Sequence, residues 1–253
     1  MIIGAQFYTL RNFCKTLDDF SETLKKVADI GYTSVQISGT CAYEPEWLRD
    51  QLKANGLKCA VTHIPGDKLK ADPVKVAHDH DIFDCEYVGL GCYNFAAEDA
   101  TTEKFTEEYL PVAKAIHSAG KYFMYHNHDA EFKWENGKTI LANLAEKFSP
   151  ELMGFTLDTF WVQAGGGDPA YWLRRLSGRV DCVHFKDMVF SPEDKAVRMA
   201  AIGDGNMNYP EILRACEDAG VQYAFVEQDN CYGVDPFLCL KRSYDWLHAQ
   251  GLE

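Results

Sequence analysis

Among its nine cysteines the sequence has no C-x-x-C pair, and the number is odd, so neither a structural zinc knuckle nor a redox dithiol is expected. Several of these cysteines sit in apolar runs, as buried free thiols do, which points to a reducing compartment. No apolar stretch approaches the roughly 20 residues needed to span a bilayer. The opening residues Met1, Ile2, Ile3 and Gly4 lack the charged start and long apolar core of a signal peptide. A cytoplasmic protein with no membrane partner is therefore expected. Cations are scarce: 25 Lys and Arg against 38 Asp and Glu leave a formal charge of −13. Such a surface repels polyanions, which excludes nucleic acid as a partner. No G-x-G-x-x-G turn follows the first apolar run, where Tyr8, Thr9, Leu10, Arg11 and Asn12 stand instead. That absence argues against an open dinucleotide-binding sheet. There is no Pro/Ser-rich linker and no low-complexity segment.

What is present alternates. Strand-like runs at Ile2–Tyr8, Thr33–Ile37, Lys58–His63, Glu86–Leu90, Lys121–His126, Met153–Leu157, Val180–His184 and Tyr223–Val226 are separated by helical patterns. The first helix repeats Leu17, Phe20, Leu24, Val27 and Ile30 at helical spacing behind Thr16, and Gly31 ends it. Others cover Pro45–Ala54, Thr101–Ala119, Thr139–Phe148, Tyr209–Ala219 and Pro236–Ala249. Asp72-Pro73 and Asp168-Pro169 are caps followed by proline at the first helical position, the former opening a helix that runs to Phe83. The glycine run Gly165, Gly166 and Gly167 reads as a flexible loop leading to the Asp168 cap. Eight β-α units in 253 residues favour a single-domain α/β fold, a (β/α)8 TIM barrel over residues 1–253.

Active sites of such barrels form where strands end. The first strand ends near Gln6, the second holds Gln36, and the third ends in Thr62-His63. The fifth ends in His126, Asn127, His128 and Asp129, with Glu131 close behind. The sixth ends in Asp158, the seventh in His184 and onward to Lys186-Asp187, and the eighth in Glu227-Gln228. The fourth offers little beyond Gly91-Cys92. Singly, each of these reads as a hydrogen-bonded loop residue. Together, His126, Asp158, His184 and Glu227 converge on one mouth. Two imidazoles and two carboxylates suit one divalent ion such as Mn²⁺, Zn²⁺, Co²⁺ or Mg²⁺. His126 and His128 compete for one of the four positions, because alternation along a strand turns only one of them inward. His78, His80, His117 and His248 lie on helices and read as surface residues.

The ordered segments Gly4–Arg11, Gly31–Gln36, Thr62-His63, Tyr125–Asp129 with Glu131-Phe132, Leu157–Phe160, Val183–Asp187, Ile202–Gly205 and Val226-Glu227 carry a resemblance. Over essentially its whole length the chain resembles the sugar phosphate isomerase/epimerase family, the xylose-isomerase-like barrels. The resemblance implies a metal held by a glutamate after the fifth strand, an aspartate after the sixth, a histidine after the seventh and a glutamate after the eighth. Asp158, His184 and Glu227 match the last three. At the first, a segment that often reads Glu-Asn-His is His126, Asn127 and His128, so His126 replaces the glutamate. In the family the two metal-bound glutamates serve as base and acid on opposite faces of the substrate. Glu227 takes one side here, and Glu131 or His128 are the nearby groups for the other.

The activity so implied is that of a metal-dependent isomerase or epimerase on a small sugar, keto-sugar or polyol-derived substrate. It would abstract a proton beside a carbonyl and stabilise an enediolate on the metal. The His126 segment also recurs in a branch with dehydratase- and lyase-like members. A lyase on a keto-sugar or inosose-like substrate is thus the alternative, and a sugar-binding barrel without turnover a third reading. His63, Lys186, Gln6 and Trp161 are candidate substrate contacts, with Phe7 and Tyr8 as further mouth aromatics. Against these stand a core role for His63, a salt bridge from Lys186 to Asp187 or another acid, a solvated loop position for Glu131, and plain packing for the aromatics. No phosphate-binding signature is evident, and a homo-oligomer remains open.

Overall fold

The computed structural model describes residues 1–253. The chain opens with β1 (Ile2–Gln6) and a 3-10 turn at Phe7–Phe13, followed by α1 (Leu17–Ile30), β2 (Ser34–Ile37), α2 (Pro45–Ala54) and β3 (Lys58–His63). Then come α3 (Gly66–Ala71), α4 (Pro73–Ile82), β4 (Tyr87–Leu90), α5 (Thr102–Ser118) and β5 (Tyr122–His126). The ribbon β6 (Trp134–Glu135) and β7 (Lys138–Thr139) leads to α6 (Ile140–Lys147), β8 (Met153–Asp158), α7 (Thr159–Ala164), α8 (Pro169–Arg175) and β9 (Cys182–Phe185). A hairpin of β10 (Asp187–Ser191) and β11 (Ala196–Ala200), then α9 (Tyr209–Ala219), β12 (Tyr223–Val226) and α10 (Pro236–Ala249), complete the chain.

Eight strands close in the order β1-β12-β9-β8-β5-β4-β3-β2, all pairs parallel, with Ala5 opposite Val226 at the closure. This is a single-domain TIM barrel. The expected caps Thr16, Asp72 and Asp168 each accept the backbone N–H three residues on, and Thr101, read as the first helical residue, caps α5 in the same way. Phe20, Leu24 and Val27 are the buried face of α1, part of a 58-residue core cluster. Alternation stacks the barrel interior. Tyr122, Met124 and His126 share a face of β5, Cys182 and His184 a face of β9, and Tyr223, Phe225 and then Glu227 that of β12. Ala60, Val61, Tyr87, Met124, Cys182, Tyr223 and Phe225 pack together as an apolar plug. The polar residues one step further along these strands form the mouth.

Several expectations are corrected. β1 stops at Gln6 rather than Tyr8, because the Gln6 side-chain oxygen accepts the Tyr8 N–H and turns the chain. The glycine run is not a loose loop. A Cβ on Gly165 would lie 2.6 Å from the Phe132 ring, and one on Gly167 2.5 Å from it, so these glycines admit that ring. His80 is buried, not on the surface: its Nε2 lies 2.8 Å from Thr62 Oγ1 and its Nδ1 2.7 Å from the Val76 carbonyl. All nine cysteines are free, and no helix is long and apolar enough to cross a membrane.

Candidate metal centre

His126, Asp158, His184 and Glu227, from the ends of β5, β8, β9 and β12, bring one ligand atom each to within 4.8 Å of one another, and all four are buried. His126, Asp158 and His184 are each held by a partner on one side that turns another atom to the cluster. His126 Nδ1 donates to the Gly91 carbonyl at 2.7 Å, which fixes the tautomer and leaves Nε2 as a bare lone pair. That nitrogen faces Asp158 Oδ2 at 3.1 Å. The fourth strand, where little was expected, thus supplies the backbone acceptor that orients His126. On the other side of the ring pair, His184 Nε2 donates to Gln36 Oε1 at 2.5 Å. Its Nδ1 lies 2.8 Å from Glu227 Oε2 and 3.6 Å from Asp158 Oδ2.

Asp158 divides its oxygens. Oδ1 accepts the Trp161 N–H at 2.9 Å and caps α7, while Oδ2 turns to the cluster. Cap and candidate ligand are therefore one residue. The Asn127 side-chain oxygen accepts the Asp158 N–H at 3.0 Å, tying β5 to β8 at this level.

The donor set fits a divalent cation. His184 Nδ1 and Glu227 Oε2 are 2.8 Å apart but misaligned, and neither makes an aligned hydrogen bond, although the Lys186 ammonium stands 2.9 Å from Glu227 Oε2. With Nε2 turned to Gln36, Nδ1 and Oε2 face each other in a buried site that already draws one cation, Lys186, and favours positive charge between them. The electrostatics agree. Burial lowers His184's proton affinity, but the Glu227 and Asp158 carboxylates outweigh it and hold the ring above its ordinary value, so the site draws positive charge, as a proton on the ring or as a cation in its place. Burial also raises Asp158 and Glu227, yet Lys186 and the neighbouring rings keep both carboxyls ionised, well below the usual range. His126 is shifted down, first by burial and then by His184, toward the neutral ring a metal needs.

Around this floor stand His63, His128, Trp161 and Asp229, each only partly exposed. The His63 ring centroid lies 5.2 Å from that of His126 and 5.5 Å from that of His184. Its Nδ1 is 3.2 Å from Ser38 Oγ, and its Nε2 has no partner. Burial and the other rings push His63 well below the usual imidazole value. His128 packs against Trp161 with centroids 5.3 Å apart and is pushed down to about 3 by burial and by His126. Of the two competing histidines, then, the strand turns His126 into the cluster and leaves His128 on the wall. The Trp161 indole N–H is another buried donor without a partner.

Lys186 reaches the floor, paired with Asp158, Glu227 and Asp229. Asp187 instead accepts the backbone N–H groups of Met188, Gly203, Gly205 and Met207. This explains the Ile202–Gly205 segment as a turn built around one carboxylate. The Gln6 side-chain oxygen accepts the Tyr8 N–H in the turn that follows β1. Glu131 is placed elsewhere than expected. It is fully buried, neither a solvated loop acid nor a neighbour of the cluster, and its carboxylate accepts the Tyr125 hydroxyl on the helix side of β5. Burial raises its carboxyl to about 7. Asp229 was missed, although it stands two residues beyond Glu227.

A family model for xylose isomerase-like TIM barrels matches residues 24–248. The chain belongs to this family. Within it, the chain is 26% identical over 192 residues to an inosose dehydratase of Geobacillus kaustophilus (strain HTA426), a match covering 66% of this chain and 61% of that protein. The barrel superimposes on a sugar phosphate isomerase/epimerase from Parabacteroides distasonis ATCC 8503 with a TM-score of 0.81 and 21% identity, covering 98% of this chain and 93% of that one. An L-ribulose 3-epimerase gives 0.77 at 14% identity, with 98% and 94% covered. A probable 3-DHS dehydratase of petrobactin synthesis from Bacillus anthracis gives 0.73 at 16%, with 98% and 99% covered. Proteins named as epimerases and as a dehydratase thus share this barrel fold.

Proposed function

We propose that this chain is a divalent-metal-dependent enzyme that removes a proton from the carbon beside a carbonyl of a small polyhydroxylated substrate. The observation that carries the reading is the pair of histidines oriented from behind, His126 through Nδ1 to the Gly91 carbonyl and His184 through Nε2 to Gln36, so that the other nitrogen of each faces a carboxylate at the floor of the mouth. His126, Asp158, His184 and Glu227 would hold the ion. When bound, it would supply Lewis acidity to adjacent substrate oxygens. Glu227, kept ionised at the floor, is the proton acceptor. His63 and His128 flank it as neutral rings that can take or return a proton on another side, and Trp161 lends an apolar face and a free indole N–H.

Isomerisation or epimerisation is the leading outcome, and elimination of water is the second. Inverting a carbon requires proton carriers on both faces, and only one carboxylate of the set, Glu227, is not also tied to a helix cap. Asp158 also caps a helix. Elimination needs one base and a proton donor for the departing hydroxyl. Resemblance to the inosose dehydratase adds weight to this second reading.

The test is metal analysis of the purified protein, then incubation with L-ribulose and with inosose in deuterated water. Stoichiometric metal with deuterium incorporated beside the carbonyl is expected. An ultraviolet-absorbing unsaturated product would assign elimination. No metal and no exchange with either compound would sink the proposal.

A further inference from the structure

The proposed centre contains a cation of its own. Lys186 Nζ lies 3.0 Å from Asp158 Oδ2 and 2.9 Å from Glu227 Oε2. These are the same two oxygens that face His126 Nε2 and His184 Nδ1. Outside the ligand set, Asp229 offers both of its oxygens to the ammonium at 3.1 Å. Lys186 therefore has two anchors, one shared with the ligand set and one beside it. Its ammonium is a compact point charge on a flexible stem, able to lean from one anchor to the other where a planar guanidinium would not.

We infer that Lys186 is a built-in competitor for the metal: it neutralises Asp158 and Glu227 in the metal-free protein and withdraws onto Asp229 when an ion is taken up. The inference rests on the metal reading above and concerns how tightly the centre loads. An ion bound to Asp158 Oδ2 and Glu227 Oε2 brings like charge close to Nζ in a buried site, where repulsion is weakly screened. Exchanging the ammonium for the ion therefore forfeits part of the ion's binding. Asp229 limits that loss by keeping the displaced charge paired. A centre of this kind exchanges its metal with the surroundings instead of holding it permanently.

The experiment is calorimetric titration of the chelator-treated whole chain with Mn²⁺ and with Zn²⁺, comparing wild type, Lys186→Met, Lys186→Gln, Asp229→Asn and the Lys186→Met/Asp229→Asn double variant. Both Lys186 variants should bind each ion at least tenfold more tightly. Asp229→Asn should bind several-fold more weakly, and this weakening should vanish in the Lys186→Met background. Equal or weaker binding by the Lys186 variants overturns the inference, as does an Asp229→Asn effect of the same size with and without Lys186. Should Lys186→Met not fold, Lys186→Gln retains the hydrogen-bonding stem without the charge and decides the same question. Metal binding by wild type with unchanged variants defeats only the competitor. Absence of binding in every protein defeats the metal reading and the competitor together.

Discussion

Gln36 shows how much of the candidate metal centre lies behind the residues proposed to hold the ion. It touches none of the four through a ligand atom, yet its Oε1 decides which nitrogen of His184 carries the proton. Gln36→Leu removes that acceptor and frees the ring to place its proton on Nδ1, toward Glu227. Metal affinity should fall about 10- to 100-fold with the fold intact, as read by competition with a chromophoric chelator and by circular dichroism. An unchanged affinity would mean that the tautomer is set elsewhere. Glu131 gives a second residue-scale prediction. Burial lifts its carboxyl from 4.5 to about 7. Between those values the unfolded chain has shed the proton while the fold retains it, so this group's stabilising share is lost as pH rises from about 4.5 through 7. Glu131→Gln does not titrate, and its stability relative to wild type should improve by up to about 3 kcal/mol between pH 4 and pH 8 in urea denaturation. Parallel curves for the two proteins would refute the assignment. At this scale the sequence was partly legible. The strand ends exposed Asp158, His184 and Glu227, because alternation and barrel closure constrain them. Glu131 was misplaced because its direction is decided by Tyr125, which faces the helices, and by a 3-10 turn that no periodicity announces.

Among the elements, the eight strands and the capped helices were readable from periodicity and from Asp-Pro and Thr caps. The hairpin of β10 and β11 was not. Its two strands pair only with each other, so no barrel register reinforces their short alternating pattern. Helix α7 was missed because Asp158 read as a loop residue or a candidate ligand, whereas its Oδ1 caps the helix while Oδ2 turns to the cluster. The glycine run before α8 was misread because glycine marks two things: freedom of the backbone, or space for a neighbour. Gly165 has an ordinary φ of −75°, and Phe132 occupies the position of its missing side chain. Gly165→Ala should therefore cost about 1–3 kcal/mol through crowding alone. Combining it with Phe132→Leu should recover part of that loss in thermal denaturation, as a coupled pair does. Additive losses would show that the crowding lies elsewhere.

For the molecule as a whole, the metal reading carries a stability consequence. An ion that binds only the folded barrel stabilises it by mass action, about 2.7 kcal/mol at a hundredfold excess over Kd. In a barrel of this size that is a rise in Tm of roughly 5–10 °C on adding the ion to chelated protein. Scanning fluorimetry across Mn²⁺, Co²⁺, Zn²⁺ and Mg²⁺ would measure it, and a flat response to all four would remove the centre.

The ligands also have an order along the chain. All four candidates come from β5 onward, the last at Glu227, while the first half contributes His63 and supporting groups such as Gln36 and the Gly91 carbonyl. Glu227 reaches the others only after β12 has docked between β9 and β1. The four-residue set proposed above would therefore be complete only in a ring that has already closed, so the rate at which metal is captured during refolding would be a clock for barrel closure.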